Sequence, residues 1–255
     1  MTETPTVRAP NFEAKNMSAS HTVTAYDDEL RWLVRRLSEM GGIAEGMVAD
    51  SLTALVNADT ALAQRVISED LLLDNGEREI YDKAVLLIAK RQPMASDLRE
   101  IIGSIRIASD LERVGDLGKN IAKRVIAVHT MAQPKKLVRG LEHLAELALT
   151  QLKEVLDAFA TRSPELANSI RERDEEIDAI YTSLFRELLT YMMEDPRNIT
   201  ACTHLLFCAK NVERIGDHAT NIAETVFYVA TGEQLTGERP KDDDTANVIA
   251  PAIGD

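Results

Sequence analysis

Apolar residues recur at i, i+3, i+4 and i+7 over most of this chain, the period of amphipathic helices. Leu30, Leu33, Val34, Leu37 and Met40 begin the first stripe, and Val48, Leu52, Leu55 and Val56 carry it to about residue 58. Asp59 is a favoured N-cap type. It predicts a second helix through Leu62, Val66, Leu73, Ile80 and Leu87, ending near Arg91 before Pro93. A third helix is predicted from about Ser96 to His129, and Pro134 marks the next break. Leu137, Leu141, Leu144, Leu152, Leu156 and Phe159 form a fourth stripe. Ser163-Pro164-Glu165 reads as cap, N1 proline and first-turn acid, predicting a fifth helix that ends near Glu194. Asp195-Pro196 repeats that start signal for a sixth helix, ending by Gly232. Six long helices with short breaks predict an all-α fold of helical bundles.

Both ends lack this period. Residues 1–20 and 232–255 read as disordered tails, the second carrying the Asp242-Asp243-Asp244 run. The chain has 255 residues with 42 Asp plus Glu against 29 Lys plus Arg, a formal net charge of −13. That balance argues against nucleic acid as a partner, which requires a basic face. A hydrophobic share of 45% suffices for a core, while 4% aromatics is unlike a β sandwich. Cys202 and Cys208 are too few and too local for a disulfide framework and read as free thiols of a reducing compartment. The N-terminal residues show no signal-peptide pattern, and the longest apolar run covers only residues 84–89. No membrane span is expected, and the expected location is the cytoplasm.

The chain also repeats itself. Residues 108–125 align without gaps on 209–226, and nine of the 18 positions are identical. Unrelated windows would share about one. Asp70 and Asp74 lie over Asp174 and Asp178, and Pro93 lies over Pro196 with one small gap. The third and sixth helices therefore read as copies of one element. This predicts two tandem pseudo-symmetric three-helix bundles, over 21–132 and 133–231.

The shared positions include Glu112 and Asp116, matched by Glu213 and Asp217. An i,i+4 spacing places two carboxylates on one helix face, about 6 Å apart at Cβ, where they repel. The second and fifth helices supply Asp70 with Asp74 and Asp174 with Asp178. With the helices side by side, four carboxylates would converge in each bundle and call for a cation. An all-oxygen set suits Mg²⁺, Mn²⁺, iron or Ca²⁺. The plainer alternative is a solvated acidic face; duplication of the pairs favours the metal. Gly115 and Gly216 sit mid-helix at equivalent places, each costing about 1 kcal/mol relative to Ala. They signal a close backbone approach or access to the acids. Arg113 and Arg214 read as intramolecular ion-pair partners, and Asn120 and Asn221 extend the acidic face by a turn.

Enzyme signatures are missing. No His has a Glu three residues before it, and there is no His-Glu-x-x-His, Gly-x-Ser-x-Gly or phosphate-cradling glycine loop. His218 replaces Leu117 of the other repeat and so stands outside the duplicated set.

Residues 88–99 (Ile-Ala-Lys-Arg-Gln-Pro-Met-Ala-Ser-Asp-Leu-Arg) join the Leu-Glu-Arg-Val-Gly-Asp and Val-Glu-Arg-Ile-Gly-Asp segments and Tyr191-Met-Met-Glu-Asp-Pro196 in a specific combination. Together they resemble the PhoU family of bacterial phosphate-transport accessory regulators over about residues 22–231. The resemblance implies paired three-helix bundles and multinuclear clusters of iron, zinc, manganese or magnesium. Its ligands here would be Asp70, Asp74, Glu112 and Asp116, then Asp174, Asp178, Glu213 and Asp217. Asp110 becomes Asn211 in the second repeat, which implies clusters of different nuclearity. The resemblance further implies a homodimer and a negative regulator of the phosphate-starvation response. Such a regulator is a non-enzymatic adaptor between the phosphate ABC transporter and a membrane sensor histidine kinase, peripheral to the membrane through those partners. The rival readings are a metal-dependent phosphoester hydrolase using the same carboxylates and a metal-free structural bundle.

Overall fold

The computed structural model describes the backbone of residues 12–131 and 134–235, with side chains from residue 25 onward. All regular structure among the described residues is helical: α1 (Phe12–Asn57), α2 (Thr60–Arg91), α3 (Ala95–Val128), α4 (Lys135–Thr161), α5 (Pro164–Glu172), α6 (Asp174–Glu194) and α7 (Ile199–Thr231). A 3-10 turn, Pro196–Asn198, joins the last two. Residues 12–20, expected as tail, fall within the bounds of α1. Residues 1–11, and 236–255 with the Asp242–Asp244 run, lie outside the described residues.

The helix-start signals act as their chemistry dictates. Asp59 Oδ1 accepts from the backbone N–H groups of Ala61 at 3.0 Å and Leu62 at 2.9 Å, satisfying two orphan donors of α2. Ser163 Oγ accepts from Leu166 N–H at 3.2 Å, with Pro164 at the first helical position. Gly232 ends α7 at φ +81°, a left-handed conformation that suits a residue without Cβ.

The predicted fifth helix is broken into α5 and α6. At Arg173 the backbone takes φ −93° and ψ 2°, and its N–H bonds back to Ile170 O in a tighter turn. The physical reason lies just beyond. Asp174, Glu175 and Glu176 become the first turn of a new helix, where carboxylates meet the positive end of the helix dipole.

Packing yields two tandem three-helix bundles, α1–α3 and α4–α7, with the bent α5–α6 pair serving as one helix of the second. Leu33, Leu37, Met40, Met47, Leu73, Ile80 and Leu111 fill the first core, and Leu141, Leu152, Ile170, Leu205 and Ile222 the second. The bundles join where α3 packs along α7 and α1 meets α4. Glycines make that approach close. A Cβ on Gly103 would lie 2.4 Å from Val229 Cγ2, and one on Gly41 would lie 2.5 Å from Leu156 Cδ2. Arg124 stacks 4.0 Å from the Phe207 ring centroid across the same seam.

Candidate functional site

The pseudo-symmetry places the acid pairs of α2 and α3 on facing surfaces, and those of α6 and α7 likewise. Two glycines locate the contacts. A Cβ on Gly115 would sit 2.2 Å from Leu73 Cδ1, and one on Gly216 would sit 2.9 Å from Ile177 Cδ1. Leu73 lies between Asp70 and Asp74 in sequence, as Ile177 lies between Asp174 and Asp178. Of the two uses expected for these glycines, close backbone approach is the one observed.

In the first repeat, Asp70 is buried and Glu112 nearly so, while Asp74 and Asp116 are half-buried. Burial raises the Glu112 carboxyl above the ordinary glutamate range. Arg113 works against that shift, and the charges of Asp116, Glu77 and Asp74 add to it. Those acids therefore share one neighbourhood. Asp70 and Asp116 are linked by Lys119, whose Nζ donates to Asp70 Oδ2 and, at 2.7 Å, to Asp116 Oδ1. Burial alone would lower the Lys119 ammonium, but the hydrogen bonds to Asp116 and Asp70 outweigh it and hold it well above the usual lysine range. Arg113 behaves as expected, 3.4 Å from Glu112 Oε2 and 3.3 Å from Asp116 Oδ2. Glu112 Oε2 nevertheless makes no hydrogen bond.

In the second repeat, Asp174, Asp178 and Glu213 are all buried, each 3% exposed, and Asp217 is half-buried. Burial again raises the Glu213 carboxyl; Lys210 opposes this, and Asp217 and Asp178 reinforce it. Glu213 Oε1 accepts from Lys210 Nζ at 2.9 Å, while Oε2 is buried without a hydrogen-bond partner. Asp174 is held by a buried relay. Gln151 Nε2 donates to Thr220 Oγ1 at 3.0 Å, and Thr220 Oγ1 donates to Asp174 Oδ1 at 2.9 Å.

Among the described residues, no three His, Cys, Asp or Glu side chains already stand together as a cage for an ion. The donor chemistry nonetheless fits a hard cation. It is all oxygen, mutually repelling and partly desolvated, and in each repeat one buried glutamate oxygen lacks a hydrogen bond. Four carboxylates per repeat would hold the ion: Asp70, Asp74, Glu112 and Asp116, and Asp174, Asp178, Glu213 and Asp217.

Three features escaped the reading of residue patterns. Glu77 joins the first acidic set, but repeat comparison discards it because Tyr181 stands at the matching position. Lys119 aligns with Thr220, so a search for identities passes over it as well. Asp110 turns away from the acidic set, and its Oδ1 lies 2.8 Å from His218 Nδ1 of α7. The Asp110-to-Asn211 difference thus belongs to the seam between repeats. Arg214 is exposed and forms no ion pair among the described residues. Cys202 and Cys208 are free, as expected, and both are buried.

The PhoU domain model matches residues 37–125 and 141–226, one match in each repeat. The chain is 76% identical over 232 residues to a phosphate-specific transport system accessory protein PhoU homolog of Rhizobium meliloti (strain 1021), covering 91% of this chain and 98% of that protein. Its identity to the Caulobacter vibrioides (strain NA1000 / CB15N) homolog is 51% over 221 residues, covering 87% of this chain and 96% of the other. Among solved structures, PhoU from Pseudomonas aeruginosa superposes with a TM-score of 0.79 at 39% identity, covering 82% of this chain and 100% of that one. The regulatory protein PhoU from Streptococcus pneumoniae gives 0.76 at 31% identity, covering 83% and 99%.

Proposed function

The chain belongs to the PhoU family, and on that footing we propose that it is an accessory regulator of phosphate-specific transport. The finer reading is a cytoplasmic, homodimeric, non-catalytic adaptor that links the phosphate ABC transporter to a membrane sensor histidine kinase. Through that link it restrains the phosphate-starvation response when phosphate is plentiful. The coarser role is supported by the relatives, whose names tie them to phosphate-specific transport. No helix among the described residues is long and apolar enough to cross a membrane, so docking to a membrane complex would run through protein partners.

One observation carries the metal part of the proposal: the carboxylate pairs recur in both repeats, and Glu213 keeps a buried oxygen without a hydrogen bond. A bound cation would add to the positive charge that Lys119 and Lys210 already bring to these acids. The chain's own residues orient the acceptors: Thr220 fixes Asp174, and the Gly115 and Gly216 approaches bring the paired helices together. Ordering that surface would favour one set of partner contacts over another, so regulation is a shift in the population of bound complexes.

Deleting the gene in a phosphate-replete host tests the regulatory role. Release of the phosphate-starvation genes is the expected result, and unchanged repression would overturn it. Turnover of phosphoesters by the purified protein would overturn the non-catalytic part. Metal analysis of protein purified without chelator, compared with Glu112→Ala plus Glu213→Ala, tests the clusters; equal and negligible metal in both refutes them.

A further inference from the structure

α2 packs against α1 and α3 and leaves its opposite side to solvent. On that outer side large apolar residues stand about half exposed: Leu71 and Leu72, then Tyr81, Val85 and Leu86. From Leu71 to Leu86 they span about 22 Å of helix. Single apolar residues are ordinary on a surface, but a contiguous apolar patch rimmed by polar residues is a mark of contact. The second repeat supplies the comparison. Leu71 and Leu72 align with Glu175 and Glu176 of α6, both exposed, and Leu86 aligns with the exposed Thr190. The aligned helix is polar where α2 is apolar, so the ridge is not a by-product of the shared fold. Along it the exposed residues Leu71, Asn75, Arg78, Asp82, Val85 and Ala89 recur at alternating steps of four and three, the spacing of a seam between two helices.

Resting on the homodimer part of the reading above, we infer that this ridge is where two copies of the chain meet, as an antiparallel pair of α2 helices. A two-fold contact needs a surface that complements itself, each residue meeting the one at equal distance beyond the axis. An axis at the level of Glu79 and Ile80 satisfies this. Leu72 and Leu86 lie seven residues either side of Glu79, and Leu71 and Ala89 nine either side of Ile80. Arg78 and Asp82 lie two either side of Ile80, so opposite charges face each other twice across the axis. Both are exposed and form no ion pair among the described residues. Glu79, nearest the axis, already meets Arg36 Nε at 2.9 Å, which relieves the repulsion between its two copies. An unrelated partner helix would require no such symmetry of α2. The polar centre fixes register and direction at some cost in affinity. A ridge of this length is also small beside obligate interfaces, so the pair should form reversibly with concentration.

Sedimentation of the full-length protein over roughly 1–100 µM tests this by its monomer–dimer equilibrium. Leu71→Glu with Leu72→Glu gives α2 the residues that α6 carries at the aligned, exposed positions, so the fold should survive while the dimer dissociation constant rises about tenfold or more. Arg78→Asp and Asp82→Arg, each alone, set like charges opposite one another and should weaken the dimer by a similar factor. Combined in one chain they restore opposite charges across the axis, and dimer affinity should recover. Circular dichroism of every variant checks that the helices persist. A dimer as tight with Leu71→Glu and Leu72→Glu as without them overturns the inference while the homodimer reading stands, as does a charge swap that fails to recover affinity lost by the single changes. A protein that stays monomeric throughout that range overturns the homodimer reading itself, and the inference with it.

Discussion

Gly115→Ala isolates the contact that brings α2 and α3 together. In an unconstrained helix the change would stabilise by about 1 kcal/mol, the intrinsic advantage of alanine over glycine. Here the new Cβ would lie 2.2 Å from Leu73 Cδ1, where carbon atoms normally rest about 3.5–4.0 Å apart. Leu73 is fully buried, and Met47 Sδ already stands 3.6 Å from the same point, so the leucine has little room to turn aside. Overpacking of this kind costs about 1–3 kcal/mol, which exceeds or cancels the propensity gain. The expected net effect is a loss of about 1 kcal/mol, read by urea denaturation as a lower midpoint at unchanged slope. Gly118, one turn away, is the internal control. The atoms nearest its added Cβ are Met47 and Val48 backbone atoms at 3.5 Å, an ordinary contact, so Gly118→Ala should gain up to about 1 kcal/mol. Leu73→Ala alone should cost about 2–5 kcal/mol. In that background Gly115→Ala should change sign and stabilise, because its methyl enters the vacated space. The double-mutant coupling should then reach about 1–3 kcal/mol. Strict additivity, or a Gly115→Ala protein as stable as Gly118→Ala, would refute the close-approach reading.

Two further predictions concern the buried titratable groups. Burial lifts the Glu213 and Glu112 carboxyls above the ordinary 4.5, so the native state retains protons that the unfolded chain has released. Chelator-treated protein should therefore lose stability as pH rises from about that value through the raised ones. Glu213→Gln should flatten this slope, and an identical pH profile in wild type and variant would contradict the assignment. Burial also raises the Cys202 thiol and pushes Cys208 up to about 12. Both should resist a thiol reagent at neutral pH until the protein unfolds; rapid native-state labelling of Cys208 would show that its helix opens locally.

The number of long apolar stripes, the caps at Asp59 and Ser163, the internal duplication and the same-face spacing of each acid pair were all legible in the residues. These features depend on neighbours within one or two helical turns, where the period is set by backbone geometry alone. The family motifs were legible for the same reason, being contiguous. What the chain could not display is how one helix is rotated and spaced against the next. Only packing decided that Gly115 and Gly216 admit Leu73 and Ile177, that Asp110 faces His218 across the repeats, and that Glu77 joins the first acidic set. The bend at Arg173 was equally hidden, because Ile170 and Ile177 keep the apolar period on either side of a single non-helical residue. Lys119 shows the division most clearly. By itself it is one lysine three residues beyond Asp116; its second partner, Asp70, lies 49 residues earlier and reaches it only when α2 and α3 pack. Tertiary structure therefore decides that one ammonium bridges acids of two different helices.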